Sequence, residues 1–197
     1  IGGRYNLGDM HNRDISGFNA EWRHASSPGN QLNVFGQYAQ YRFADAAMKV
    51  NDFNQQVLGA GWQHVLGDGR STLSGSLYHG TEKDVSPIIT TATPDGGRAD
   101  GEKKFSGLRA GGHAAIADNT GLFISAGAQA GDYSKVNPLF LRQRSDRLYD
   151  LTAGANWHWS KLFTLRPQLN LSRNNSNIPI YGYDRTDVSV TVRRDFR

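Results

Sequence analysis

Residues 187–196 read Asp187-Val188-Ser189-Val190-Thr191-Val192-Arg193-Arg194-Asp195-Phe196, and this stretch decides the fold. Apolar and polar residues alternate through it, the period of an extended chain whose successive side chains point to opposite faces. Val188, Val190, Val192 and Phe196 then face an apolar medium, while Asp187, Ser189, Thr191 and Arg193 face water. A soluble sandwich strand shares that alternation. A strand that stops on an aromatic next to the last residue has, in addition, the form of the closing strand of a transmembrane β-barrel. Arg194 interrupts the apolar row near its end, where a long side chain can snorkel to the interface.

Working outward, composition supports the same medium. The chain has 197 residues, 23 of them Gly and only 6 Pro, with aromatics at 11%. Turns are plentiful, no linker-like tract divides the chain, and one domain over 1–197 is the simplest organisation. Mean hydropathy is -0.58, and no apolar run approaches the roughly 18 residues of a membrane helix. A β-barrel crosses a bilayer at such hydropathy, because every second residue faces water. Cys is absent, which excludes disulfides, thiolate metal sites and a Cys nucleophile. The net charge is +4, but Lys and Arg are scattered among Asp and Glu with no aromatic platform, so nucleic acid is not expected as a partner. Outer-membrane lipid, lipopolysaccharide or an anionic cargo suits the excess charge equally well.

Alternating segments recur along the whole chain, near 1–7, 14–26, 31–43, 53–66, 70–79, 104–117, 122–131, 146–159, 164–173 and 185–196. Two kinds of connection take turns between them. One is tight: Ser27-Pro28-Gly29-Asn30, Gly67-Asp68-Gly69-Arg70, Asp118-Asn119-Thr120-Gly121 and Ser160-Lys161-Leu162-Phe163. The other is longer and more polar, near 8–13, 44–52, 80–103, 132–145 and 174–184. Tight turns on one side and long loops on the other are how outer-membrane barrels are connected. The fold expected is all-β: an antiparallel up-and-down transmembrane β-barrel with about ten visible strands, in the bacterial outer membrane.

The rows follow from the alternation. Trp22, Trp62 and Trp157 each end an apolar row beside a tight turn, forming an aromatic girdle at one membrane face. Glu21, Arg23, Arg109, His113, Asp150, Arg166, Gln168 and Arg193 fall on the polar rows and line a wet interior, where a lipocalin-like soluble barrel would instead turn its apolar rows inward. Strand 31–43 is ambiguous, with Leu32, Val34 and Tyr38 on one face and Phe35, Tyr41 and Phe43 on the other. The histidines at 11, 24, 64, 79, 113 and 158 show no catalytic or metal spacing, and Glu82 and Asp84 lack a calcium-loop pattern. No enzyme activity, metal or cofactor is expected. The basic run Arg142-Gln143-Arg144-Ser145-Asp146-Arg147 is placed in an outer loop, as solvated surface or as a contact for lipopolysaccharide phosphates. Loop 80–103, with Pro94 and Gly96-Gly97, is expected to be the most mobile surface segment.

One segment is more specific. A strand over 165–173 runs into Ser176-Asn177, then Tyr181-Gly182-Tyr183-Asp184-Arg185, then a last strand ending Arg194-Asp195-Phe196. This resembles the C-terminal β-barrel of outer-membrane proteins with periplasmic tetratricopeptide repeats, the surface lipoprotein assembly modifiers and exopolysaccharide export porins. The resemblance implies that 1–197 is the C-terminal part of a longer chain and a larger barrel. It implies an export conduit for a lipoprotein or polysaccharide, and recognition of the last strand by the barrel-assembly machinery. Tyr181, Tyr183 and Arg185 are read as a structural latch at the rim, with Arg185 pairing Asp187 or Asp150. A stand-alone barrel with a structural or adhesive role is the alternative, followed by an outer-membrane hydrolase.

Overall fold

Alternation of β-branched and aromatic residues with polar ones builds one ten-stranded antiparallel sheet in the computed structural model, with strands neighbouring in chain order. Residues 2–7, 10–67, 69–91 and 93–195 are described, and their side chains from residue 12 onward. The strands are β1 (Gly2–Leu7), β2 (Met10–Ser27), β3 (Asn30–Phe43), β4 (Phe53–Val65), β5 (Ser71–Asp84), β6 (Lys103–Ala117), β7 (Thr120–Asn137), β8 (Arg142–His158), β9 (Phe163–Ser176) and β10 (Tyr183–Arg194). Among the described residues no ladder joins β1 to β10. Phe196, the closing aromatic of the sequence reading, lies outside the described residues, as do Asp68 of the second tight turn and Ala92 of the long loop.

The tight side matches the expected turns. Gly29 and Gly69 hold φ at 81° and 64°, a region that costs residues with a Cβ 1–2 kcal/mol or so. The other side differs from expectation in extent. β2 begins at Met10, β7 continues to Asn137 and β8 begins at Arg142, so much of 8–13 and 132–145 is strand rather than loop. These extensions carry polar residues on both faces, Asp132 and Ser134 on one and Lys135 and Asn137 on the other in β7, which blurs the alternation that marks a strand in sequence. Short 3-10 helices at Ala46–Asn51 and Pro179–Tyr181 fill two of the remaining connections. Pro167 leaves a mark on the sheet. The β8–β9 ladder has no pairs between Gly154↔Gln168 and Trp157↔Leu165, where proline has no N–H to donate.

Register settles the faces. One outer row runs Trp22, Val34, Ala60, Leu77, Leu108, Ala128 and Tyr149, and reaches Arg173 on β9. The ambiguous strand is thereby assigned, because Val34 lies opposite Trp22 and Ala60, which turns Phe35 and Tyr41 to the polar face. On β9 the apolar residues Leu165, Leu169 and Leu171 stop short of Arg173, so the apolar band slips across the rows from β3 to β9. A slip of about one residue per strand, with a rise of about 3.3 Å and a strand spacing of about 4.8 Å, corresponds to a strand tilt of about 35°. Phe18, Trp22, Leu58, Leu77, Leu108, Ile124, Val188, Val190 and Val192 are exposed on this face.

Side chains on the polar face converge across strands, as on the concave side of a curled sheet. Tyr78 of β5 passes over Gly107 of β6 to donate to Gln129 of β7 at 3.2 Å. Arg109 of β6 passes over Gly127 of β7 to reach Asp150 of β8 at 2.8 Å. A Cβ at either glycine would overlap the bridging side chain, so each glycine makes room for a second-neighbour contact.

Candidate functional site

The inner face is a polar wall. Glu21 accepts hydrogen bonds from Arg23 and Asn33, both at 2.6 Å. Arg109 pairs with Asp150, and Gln168 donates to Asn170, which also accepts from Thr152. Arg166 lies 4.6 Å from the centre of the Phe123 ring, and Arg193 pairs with Asp195 at 3.1 Å. His113, Arg193, Arg70, Asn156 and His158 line a hollow of about 520 Å³ at the tight-turn end. The residues read from sequence as lumen-lining thus all share one face.

Trp22, Trp62 and Trp157 stand exposed on the opposite face near the tight turns. His24 and His64 stack on Trp22 and Trp62 at 5.6 and 5.8 Å, which accounts for two of the histidines. His79 and His158 hydrogen-bond to Ser106 and Thr164, and the side chain of His11 lies outside those described. Among the described residues no three His, Asp or Glu side chains converge as a metal site requires.

At the long-loop end the inner face carries a dense network that the sequence reading missed. The segment 85–102 folds onto the wall and is fastened by two arginines. Arg98 of this segment binds Glu82 and Asp84 of β5, each at 2.6 Å, and its guanidinium lies 4.7 Å from the Phe53 ring centre. Asp100 of the segment takes Arg144 of β8 at 3.2 Å and the Asn137 amide at 2.6 Å. Arg144 also binds Asp146 at 2.6 Å and is stacked between Tyr133 and Tyr181, 4.4 and 3.5 Å from their ring centres. Lys135 donates to the Gly96 carbonyl. Burial disfavours the Arg98 charge, but the hydrogen bonds and charges of Glu82 and Asp84 outweigh it and hold its pKa above the ordinary arginine value. Burial, reinforced by Asp100, pushes the Tyr181 phenol up.

Three sequence readings change here. Segment 80–103 is not a free surface loop: Glu82 and Asp84 are strand residues held by Arg98, and Thr93, Gly96, Gly97 and Asp100 are buried. The run 142–147 is strand, with Arg144 half-buried on the inner face. Of the rim residues, Tyr181 packs on Arg144, but Arg185 pairs with Asp187 two residues along its own strand and ties no neighbour, because Asp150 is taken by Arg109. Tyr183 is exposed. The signal for the network was present as opposite charges two apart on one strand face, Arg144-x-Asp146, but the sequence does not say which loop returns to meet it.

No family model matches the chain, and no curated protein does. Solved structures do. OmpTdeltaL8, a loop L8 deletion mutant of OmpT, an outer membrane protein of Vibrio cholerae, is 9% identical with a TM-score of 0.55, over 98% of this chain and 57% of that one. The fold is that of an outer-membrane β-barrel. A chain of the FpvAI-pyocin S2 complex aligns at 11% identity and TM-score 0.54, over 94% of this chain and 33% of that one. The siderophore receptor PirA from Acinetobacter baumannii aligns at 8% and 0.51, over 94% and 32%. The chain spans from about a third to just over half of the length of these proteins, and at such identities the likeness is one of fold.

Proposed function

We propose that this chain forms part of the wall of an outer-membrane conduit that exports a lipoprotein or a polysaccharide, without covalent chemistry. The observation that carries the reading is the pairing of a polar inner face with two sheet edges. β1 and β10 are not paired with one another among the described residues. In a bilayer, each unpaired N–H and C=O costs several kcal/mol, so both edges call for further strands. A closed ten-stranded wall would be filled by its own side chains, whereas a wider one leaves an aqueous path.

Along that path the cargo meets guanidinium–carboxylate pairs, amides and the inner rings of Phe35, Tyr78 and Phe123. Paired charges keep the surface hydrated without a strong net field, which suits passage rather than capture. The segment 85–102, fastened inward by Arg98 and Asp100, narrows the outer end. Planar-bilayer recording of the full-length protein tests the reading. Ion conductance that rises when 86–97 is replaced by a short Gly-Ser link is expected; a protein that inserts yet conducts nothing with or without the segment would sink it. Loss of the gene should leave its lipoprotein or polysaccharide cargo inside the outer membrane.

A further inference from the structure

On the outer face a second pattern stands where the apolar band ends on the long-loop side. Following Leu77 along β5 come His79, Thr81 and Lys83; preceding Leu108 on β6 come Lys104 and Ser106; Arg147 precedes Tyr149 on β8; and Arg173 follows Leu171 on β9. All have outer-face parity. Two carboxylates share this zone, Asp132 at 3.6 Å from Arg147 and Asp184 at 3.5 Å from Arg173. Both pairs are about half exposed or more, so they stabilise the sheet little and are open to exchange for a stronger anion. Arg147 lies opposite Asn175 and Arg173 opposite Tyr149, which makes the two arginines diagonal neighbours about 7 Å apart, within reach of one phosphate. Directly below, a hollow of about 320 Å³ is bordered by Tyr149, Leu151, Leu171, Arg173, Asp184 and Thr186.

We propose that this collar binds the phosphorylated sugar headgroup of an outer-leaflet glycolipid. Arg147 and Arg173 grip a phosphate, Lys104 meets a second charge, Thr81, Ser106 and Asn175 face sugar hydroxyls, and an acyl chain lies along Leu151 and Leu171. Cations directly above an apolar surface match a lipid whose phosphates sit at the top of its chains, and the interleaved hydroxyl and amide groups favour a sugar over a glycerol headgroup. The inference rests on the membrane placement argued above.

Native mass spectrometry of the detergent-purified full-length protein, incubated with bisphosphorylated lipid A, its dephosphorylated form or phosphatidylglycerol, tests it. Retention of the bisphosphorylated lipid should exceed that of the other two by about tenfold, and Arg147→Gln/Arg173→Gln should remove that excess, a change of about 1.4 kcal/mol. Lys161→Gln, in the tight turn at the opposite end of the sheet, should retain the lipid. Equal retention of all three lipids by the unaltered protein overturns the glycolipid site, as does a folded double variant that still selects lipid A. Fractionation of the unaltered protein away from the outer membrane would instead sink the membrane placement.

Discussion

Arg144 and Arg185 show how little the type of a residue says about its weight. Both are arginines on strands near the rim, each with an aspartate two positions along. Arg144 is largely buried and serves Asp100, Asp146 and two tyrosine rings; Arg185 is exposed and, among the described residues, pairs with Asp187. Removing Arg144 leaves two buried carboxylates unpaired, so Arg144→Ala should cost about 3–5 kcal/mol, whereas Arg185→Ala should cost less than about 1 kcal/mol. Urea unfolding in micelles, followed by tryptophan fluorescence, distinguishes them, and equal losses would contradict the assigned network. Tyr181 supplies a pH signature. Its phenol is held above the ordinary value of 10.0 in the folded state, so the fold keeps a proton that the unfolded chain releases. The associated stability is complete below pH 10 and declines as pH rises through the folded value. Thermal melts between pH 9 and 12 should show a shallower alkaline decline for Tyr181→Phe than for the unaltered protein; identical declines would remove Tyr181 from the account.

Elements carry two further expectations. On β8, Ala153 is an outer residue in the apolar band and Thr152 an inner one that donates to Asn170. Ala153→Arg should cost about 2–4 kcal/mol of membrane stability, while Thr152→Ser, which keeps the hydroxyl, should be mild. Folding into lipid vesicles reads the difference, and equal tolerance would reverse the faces. For the segment 85–102, fastening predicts a particular cleavage pattern. Residues 87–95 contain no Lys or Arg, while Lys83 and Lys103 lie in strands and Arg98 is held by Glu82 and Asp84. Trypsin should spare the segment in the folded protein and proteinase K should cut within 87–95. In Arg144→Ala, trypsin should gain access to Arg98.

For the whole molecule, the decisive feature is that β1 and β10 are not paired with one another among the described residues. Residues 1–197 expressed alone should not form a heat-modifiable, protease-resistant barrel in vesicles, because unpaired backbone on β1 and β10 would face lipid. A resistant species from residues 1–197 alone would mean that β1 and β10 pair, and the larger-wall reading would fall.

How much of this was legible in the sequence follows from the range over which each cue acts. A period of two is written by neighbours along the chain, so the strands, the two faces, the tryptophans beside the tight turns and the polar inner rows could be read from residue order alone. The extensions of β7 and β8 could not, because polar residues fall on both of their faces and blur that cue. Nor could the face of 31–43, which is fixed by Val34 lying opposite Trp22 and Ala60 on other strands. The network at the outer end joins Asp100 to Arg144 across 44 positions and Arg98 to Glu82 across 16. Whether a loop stands in solvent or turns inward depends on partners that only strand register brings within reach. Sequence by itself determined which face of the wall is apolar and which is polar; the tertiary structure alone decided which charges meet, because Coulomb attraction and hydrogen bonding act over a few ångströms of space and not over intervals of chain.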